Sequence, residues 1–178
     1  MRRTYVLAVL TVVFVGCAAL AIALPPVPPD ITMVSPDESL PDEVKLLSGK
    51  WVGKWDSAYP WDCVIYVEKV RRNSALITHS YGSFITSRRS CHCDPDYLRV
   101  HAANVSYVDG KSMIEFRANY RTEKHDVRNK LEANAGPFAK KIGSYVSLTL
   151  DKNNPDLLIG KMITGNGHVI STKLRRAD

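Results

Sequence analysis

From Ser48 onward, apolar and polar residues alternate in short runs separated by Gly, Asn, Asp and Pro. Alternation with a period of two, bounded by turn residues, is typical of β-strands that bury one face. The predicted strands are Gly49 to Trp55, Cys63 to Val70, Ala75 to Tyr81, Phe84 to Ser87, Tyr97 to Tyr107, Ser112 to Arg121, Ser144 to Asp151, Leu157 to Thr164 and His168 to Arg175. Their even spacing predicts an all-β fold in which consecutive strands pair as an antiparallel meander.

The connections between these runs support the prediction. Asp109-Gly110 and Gly165-Asn166-Gly167 are typical of hairpin turns that need positive φ, and residues 151–155 predict a slightly longer turn. Residues 123–141 break the pattern and favour a short helix, which would be a lid or a crossover loop. Because an open sheet leaves unpaired edges, we expect the strands to close into an antiparallel eight- to nine-stranded barrel.

The composition of the N-terminal residues predicts an export signal or a membrane anchor. From Val6 to Leu24 there is no charged residue and only Thr11 is polar, after the basic residues Arg2 and Arg3. This run is long enough to span a bilayer, so we expect an N-terminal apolar helix that contacts the membrane through residues 4–24. The basic residues would stay on the cytoplasmic side and the rest of the chain would face outward.

Two other processing routes fit the same segment. Ala21-Ile22-Ala23 has the small residues that precede a signal-peptidase cleavage site, and Val15-Gly16-Cys17 resembles a lipobox with Cys17 as the lipidated residue. All three routes place the protein in the cell envelope, outside the cytoplasmic membrane. It would be a single-pass protein, a lipoprotein, or a periplasmic protein if the segment is cleaved.

The chain divides into three parts on composition. Residues 1–24 are the signal or anchor, residues 25–45 are a proline-rich stalk, and residues 46–176 are the β-barrel domain. Proline-rich chain is extended and semi-rigid, so we expect residues 25–45 to hold the domain away from the membrane.

The charge argues against nucleic acid as a partner. The net charge is +6, and without Arg2 and Arg3 the remaining 22 basic and 18 acidic residues leave +4. The basic residues are spread over most of the predicted strands, whereas nucleic-acid-binding proteins concentrate them in one stripe. A protein partner cannot be named from the sequence.

Three cysteines, Cys63, Cys91 and Cys93, lie in the exported part, where disulfides persist. We expect a disulfide that joins Cys63 to Cys91 or to Cys93. Cys91, His92 and Cys93 are also possible metal ligands, although their spacing lacks the two-residue gap of most structural zinc sites. The disulfide explains them better, and we predict no cofactor.

The first predicted strand reads Gly49-Lys50-Trp51-Val52-Gly53-Lys54-Trp55, and this Gly-x-Trp-x-Gly-x-Trp pattern resembles the opening of lipocalin-like (calycin) barrels, in particular those of exported bacterial domains. Trp51, Gly53 and Trp55 share one face of this strand, so we expect the glycine to let the strand bend sharply while both indoles plug one end of the barrel. The resemblance implies that a basic residue of the last strand, Lys173, Arg175 or Arg176, stacks on the tryptophan.

The candidate site is therefore the barrel interior, where a small apolar ligand could bind. The residues predicted to line it are Trp51, Trp55, Ile65, Val67, Ile77, His79, Tyr81, Phe116 and Leu148. A core filled by its own side chains would have the same sequence pattern, and would favour a structural or interaction domain instead. A metal or thiol-redox module that uses Cys63, Cys91 and Cys93 is a third hypothesis.

Catalytic groupings are missing from the sequence: we find no Ser-His-Asp or Cys-His arrangement and no phosphate-binding glycine loop with supporting context. The five histidines are scattered along the chain. We therefore predict that the protein is not an enzyme.

Overall fold

The structure is a computed structural model that describes residues 24–58, 60–82, 84–85, 92–93, 95–118, 144–164 and 167–178. The predicted apolar helix, Cys17 and the segment 123–141 lie outside these residues. Within the described ranges, no helix has the length and hydrophobicity needed to cross a membrane.

In the described parts of the chain, one short helix and ten strands follow each other. They are α1 (Asp42–Lys45), β1 (Gly49–Asp56), β2 (Trp61–Val70), β3 (Ser74–Tyr81), β4 (Phe84–Ile85), β5 (His92–Cys93), β6 (Asp96–Val108), β7 (Lys111–Ala118), β8 (Ser144–Asp151), β9 (Asn154–Ile163) and β10 (Val169–Ala177).

Eight of the strands form a closed antiparallel barrel in the order β1-β10-β9-β8-β7-β6-β3-β2. The first and last strands pair over seven residues, from Lys50 opposite Ala177 to Asp56 opposite Ser171, and this pairing closes the barrel. The predicted all-β barrel is thus confirmed. The predicted run Phe84 to Ser87 begins with strand β4, which pairs with β5 in a separate two-stranded sheet and is not one of the eight barrel strands.

Hairpin geometry follows the predicted turn chemistry. Asp109 and Gly110 have φ values of 53° and 67°, and they connect Val108 to its cross-strand partner Lys111. Positive φ at both central residues is the requirement of a type I′ turn, whose twist matches that of the flanking strands. The turn between β8 and β9 is tighter than predicted, because Asp151 pairs directly with Asn154.

One end of the barrel, which we call the helix end, is closed by α1. Val44 and Leu47 are fully buried there, and Leu40 is nearly so. Strands β1, β3, β7 and β9 run away from α1, and their last residues mark what we call the opposite end.

Residues 26–34, which we call the strap, run along the outside of β2, β3 and β6. The Val34 amide donates a hydrogen bond of 2.8 Å to the Glu68 carbonyl, and Ser80 donates its hydroxyl to the Pro26 carbonyl. Pro28 is buried. A segment expected to be a spacer therefore contacts the domain, because the barrel supplies hydrogen-bonding partners for a proline-rich chain that forms none within itself.

Beneath the strap lies a buried carboxylate, Glu68, at the point where the register between β2 and β3 shifts. Its oxygens accept hydrogen bonds from the Thr78 hydroxyl at 2.7 Å, the Thr32 amide at 3.1 Å and the Arg99 guanidinium at 2.5 Å. Arg99 also pairs with Asp30 of the strap. A buried carboxylate needs such partners, since an unpaired charge away from water is costly.

We expect Arg99→Ala to lower the free energy of unfolding by about 2 kcal/mol, because it leaves Glu68 without its charged partner. The strap should also detach more easily, so amide hydrogen exchange at residues 26–34 should speed up in the variant. Arg72→Ala, at an exposed position in the β2–β3 turn, is the control for urea unfolding and for exchange. Equal behaviour of the two variants would contradict the role given to Arg99.

Candidate functional site: the barrel interior

The fold brings all nine predicted interior residues together. Trp51, Trp55, Ile65, Val67, Ile77, His79, Tyr81, Phe116 and Leu148 all belong to the buried core. They come from five strands, β1, β2, β3, β7 and β8. The inward residues of β9 and β10 face them across the interior. Leu158, Met162 and Leu174 are also buried there.

Trp51 packs at the helix end of the interior. Its indole nitrogen donates a hydrogen bond of 3.0 Å to the Leu47 carbonyl, just after α1. The guanidinium of Arg176 lies 4.3 Å from the centroid of the Trp51 ring, and it donates to the Ser48 carbonyl at 2.7 Å. Arg176 is thus the basic residue of the last strand that stacks on the tryptophan, and it also ties β10 to the start of β1.

The other two basic candidates do not make this contact. Lys173 and Arg175 are exposed, because residues of β10 alternate between the interior and the outer surface. The expectation that both indoles plug one end is also wrong. Trp55 pairs with Trp61, the first residue of β2, and so lies toward the opposite end.

Two glycines make room for the inward side chains. A Cβ atom on Gly53 would lie 2.5 Å from the Lys173 carbonyl oxygen, so β1 approaches β10 more closely than a side chain would permit. A Cβ atom on Gly160 would lie 2.4 Å from Thr172 Cγ2 and 3.4 Å from the Trp55 ring. The close packing at Gly160 was not predicted from the sequence. A lone glycine inside the alternating run of β9 is a signal of such a close approach.

His79 lies at the centre of an aromatic cluster in the half of the barrel toward the opposite end. Its ring centroid is 6.2 Å from that of Trp55, 5.9 Å from that of Tyr81 and 6.3 Å from that of Phe116. The Trp55 indole donates a hydrogen bond of 3.4 Å to His79 Nε2. Because an indole nitrogen can only donate, Nε2 accepts and the neutral ring carries its proton on Nδ1.

Burial lowers the pKa of His79 to about 3 from its usual 6.5. The desolvation of the charged form is the cause, since an imidazolium in this position would be cut off from water. At neutral pH the side chain is therefore an uncharged polar group inside an apolar core. It can position Trp55 and accept a hydrogen bond, but it cannot supply a positive charge.

Cys63 is a free, buried thiol in the structure, so the disulfide predicted from it is not formed there. The residue lies at an inward position of β2, between Gly53 of β1 and Tyr81 of β3. Burial raises the pKa of the thiol far above its usual value, with a smaller contribution from Asp62. A thiol that stays protonated is a poor nucleophile and a poor metal ligand.

The remaining cysteine and metal predictions stay predictions. Cys91 and the side chains of His92 and Cys93 lie outside the described part of the chain, as does Cys17. Among the residues that the structure does describe, no three His, Cys, Asp or Glu side chains are grouped to hold a metal ion.

Comparison of the chain with protein-family models, with curated proteins and with solved structures found no match. The likeness to known proteins therefore depends on the opening Trp-Gly motif, the tryptophan–arginine contact and the architecture. Together these observations support a closed eight-stranded antiparallel barrel that is consistent with the lipocalin-like fold.

Proposed function

We propose that the protein is a non-catalytic β-barrel domain of the cell envelope whose core is filled and which acts through its outer surface. The observation that carries this proposal is the complete burial of the inward side chains. Trp51, Ile65, His79, Leu148 and Leu174 come from five strands, and none has exposed surface.

This complete burial argues against a ligand-sized cavity in the core. A void large enough for a water molecule would leave open surface on the side chains that line it, and these side chains have none. Ligand pockets begin at about 300 Å³, many times the volume of one water molecule. Close packing of two indoles, an imidazole and Phe116 against aliphatic side chains supports a core without such a space.

Attachment to the membrane is the second part of the proposal, and the sequence alone supports it. Arg2 and Arg3 precede a run from Val6 to Leu24 that has no charged residue, and each processing route for such a segment leads to the outer side of the cytoplasmic membrane. The domain would then work close to the envelope lipids and proteins.

A second candidate function is the binding of a small apolar ligand through the opposite end. The aromatic cluster around His79 favours it, since a neutral imidazole among Trp55, Tyr81 and Phe116 would suit a ligand with one polar group. Such a ligand would have to displace side chains that fill the interior.

Tryptophan fluorescence separates the two candidates. We would reconstitute the full chain in phosphatidylcholine nanodiscs and add fatty acids and a hydrophobic dye, with empty nanodiscs as the control for partitioning into lipid. A filled core predicts no saturable change in emission. Saturable quenching that disappears in Trp55→Phe would replace our proposal with the ligand-binding function.

A further inference from the structure

Basic residues that are far apart in the sequence meet on one outer face of the barrel. Strands β1, β10 and β9 are neighbours, and the register sets Lys54 of β1 directly opposite Lys173 of β10. On β10, Ser171, Lys173 and Arg175 are successive outward residues, with Arg175 nearest the helix end. Lys161 of β9 lies opposite Ser171. Strand spacing of about 4.8 Å puts these four basic residues within about 15 Å.

This surface, which we call the basic face, comprises the outward positions of β1, β10 and β9. Five of its side chains are basic and one is acidic: Lys50, Lys54, Lys161, Lys173 and Arg175 against Asp56. Lys54 has one ion pair, at 3.3 Å with Asp62 of the adjacent strand β2. On the other side of the barrel, under the strap, the charges are balanced, because Glu68 and Asp30 form ion pairs with Arg99.

The fold itself does not require this arrangement. Like charges directly opposite each other on neighbouring strands destabilise a sheet, so the Lys54–Lys173 pair costs stability. Residues with other charges would be tolerated at these exposed positions. The concentration of positive charge therefore points to a partner outside the barrel.

Exposed aliphatic side chains lie among the charges of the basic face. Ile159 is 38% exposed, Ile163 44% and Val169 62%, and Ile163 pairs with Val169 across the two strands. Lysines interleaved with branched aliphatic side chains suit the interface of a bilayer, where the amines meet phosphates and the apolar groups reach below them.

We propose that the basic face docks on a membrane surface that contains anionic phospholipids. The proposal rests on the proposed function, since it specifies what the outer surface contacts. Each lysine or arginine near such a surface adds to the attraction, which salt screens. A second copy of the chain is a poor partner because two basic faces repel each other. Single-stranded nucleic acid is also disfavoured, because its bases stack on aromatic rings and the apolar side chains here are aliphatic.

Chemical footprinting of lysine amines tests the docking on the full chain. The chain is reconstituted in vesicles of phosphatidylcholine, or of phosphatidylcholine with about 30% phosphatidylglycerol, and acetylation rates are read by mass spectrometry. We expect Lys54, Lys161 and Lys173 to react about threefold more slowly on the anionic vesicles at low salt, and equally on both kinds of vesicle at high salt. Lys111 and Lys152, which are exposed at the helix end, should react alike on both vesicles.

The double variant Lys161→Glu/Lys173→Glu should abolish the protection of Lys54. The control double variant Lys111→Glu/Lys152→Glu changes the net charge by the same amount, and it should preserve that protection. Equal acetylation on both vesicles would overturn the proposal. Protection by soluble polyglutamate without protection by vesicles would overturn it as well, and would assign the face to an acidic polymer. The nanodisc titration is independent of lipid charge, so the filled-core function can stand even if this docking fails.

Discussion

Replacing Trp51 with alanine is expected to lower the free energy of unfolding by about 4 kcal/mol, within the range for large buried aromatic side chains. The ring is fully buried at the helix end, and its loss would leave a cavity between α1 and β10. It would also remove the surface on which Arg176 stacks and the donor to the Leu47 carbonyl. Urea unfolding, followed by far-ultraviolet circular dichroism, measures the change.

Two control variants separate burial from the mere loss of an aromatic ring. Trp51→Phe retains most of the volume and should cost about half as much as alanine. Tyr107→Ala removes a ring that is 45% exposed near the same end and its hydrogen bond with Glu43, and should cost about 1 kcal/mol. If Trp51→Ala proves as mild as Tyr107→Ala, the indole does not pack in the core.

Acid is expected to destabilise the protein through His79 from about pH 6.5 downward. The pKa of His79 is lowered in the folded state to about 3, so the unfolded chain takes up a proton at a higher pH than the folded one. The stability contributed by the neutral imidazole is complete above pH 6.5 and is lost as the pH falls toward 3. The expected slope is about 1.4 kcal/mol per pH unit.

His79→Gln tests this slope, since glutamine can still accept the hydrogen bond from Trp55 but does not titrate. Between pH 6.5 and 5, above the range where most carboxylates titrate, the free energy of unfolding of this variant should be nearly constant. His168→Gln, at an exposed position, should retain the slope of the parent chain. The same slope in all three proteins would show that His79 is accessible to protons in the folded state.

Much of the barrel could be predicted from the sequence because the signals are local. Alternation along β7 and β8 gives the inward residues Ile114, Phe116, Val146 and Leu148 directly, and all are buried. The Asp109-Gly110 turn fixes the β6–β7 register without reference to the rest of the chain. The interior residues were predictable for the same reason, since one face of each strand must be buried.

Features that depend on contacts between distant segments could not be predicted. The strap has the composition of a free spacer, and only the barrel surface around Glu68 and Ser80 gives it hydrogen-bonding partners. The basic face could not be predicted either, because its lysines are spread along the sequence. The β1–β10 and β10–β9 pairings bring them together.

The filled core is tested most directly by hydrogen exchange of the indole N–H protons, followed by nuclear magnetic resonance on the full chain. Trp51 and Trp55 each donate this proton to a buried acceptor, the Leu47 carbonyl and His79 respectively. We expect both protons to exchange only through global unfolding, with the same opening free energy as the slowest backbone amides of the barrel. Rapid exchange at Trp55 beside slow exchange at Trp51 would mean that water enters the interior from the opposite end, and it would contradict the filled barrel.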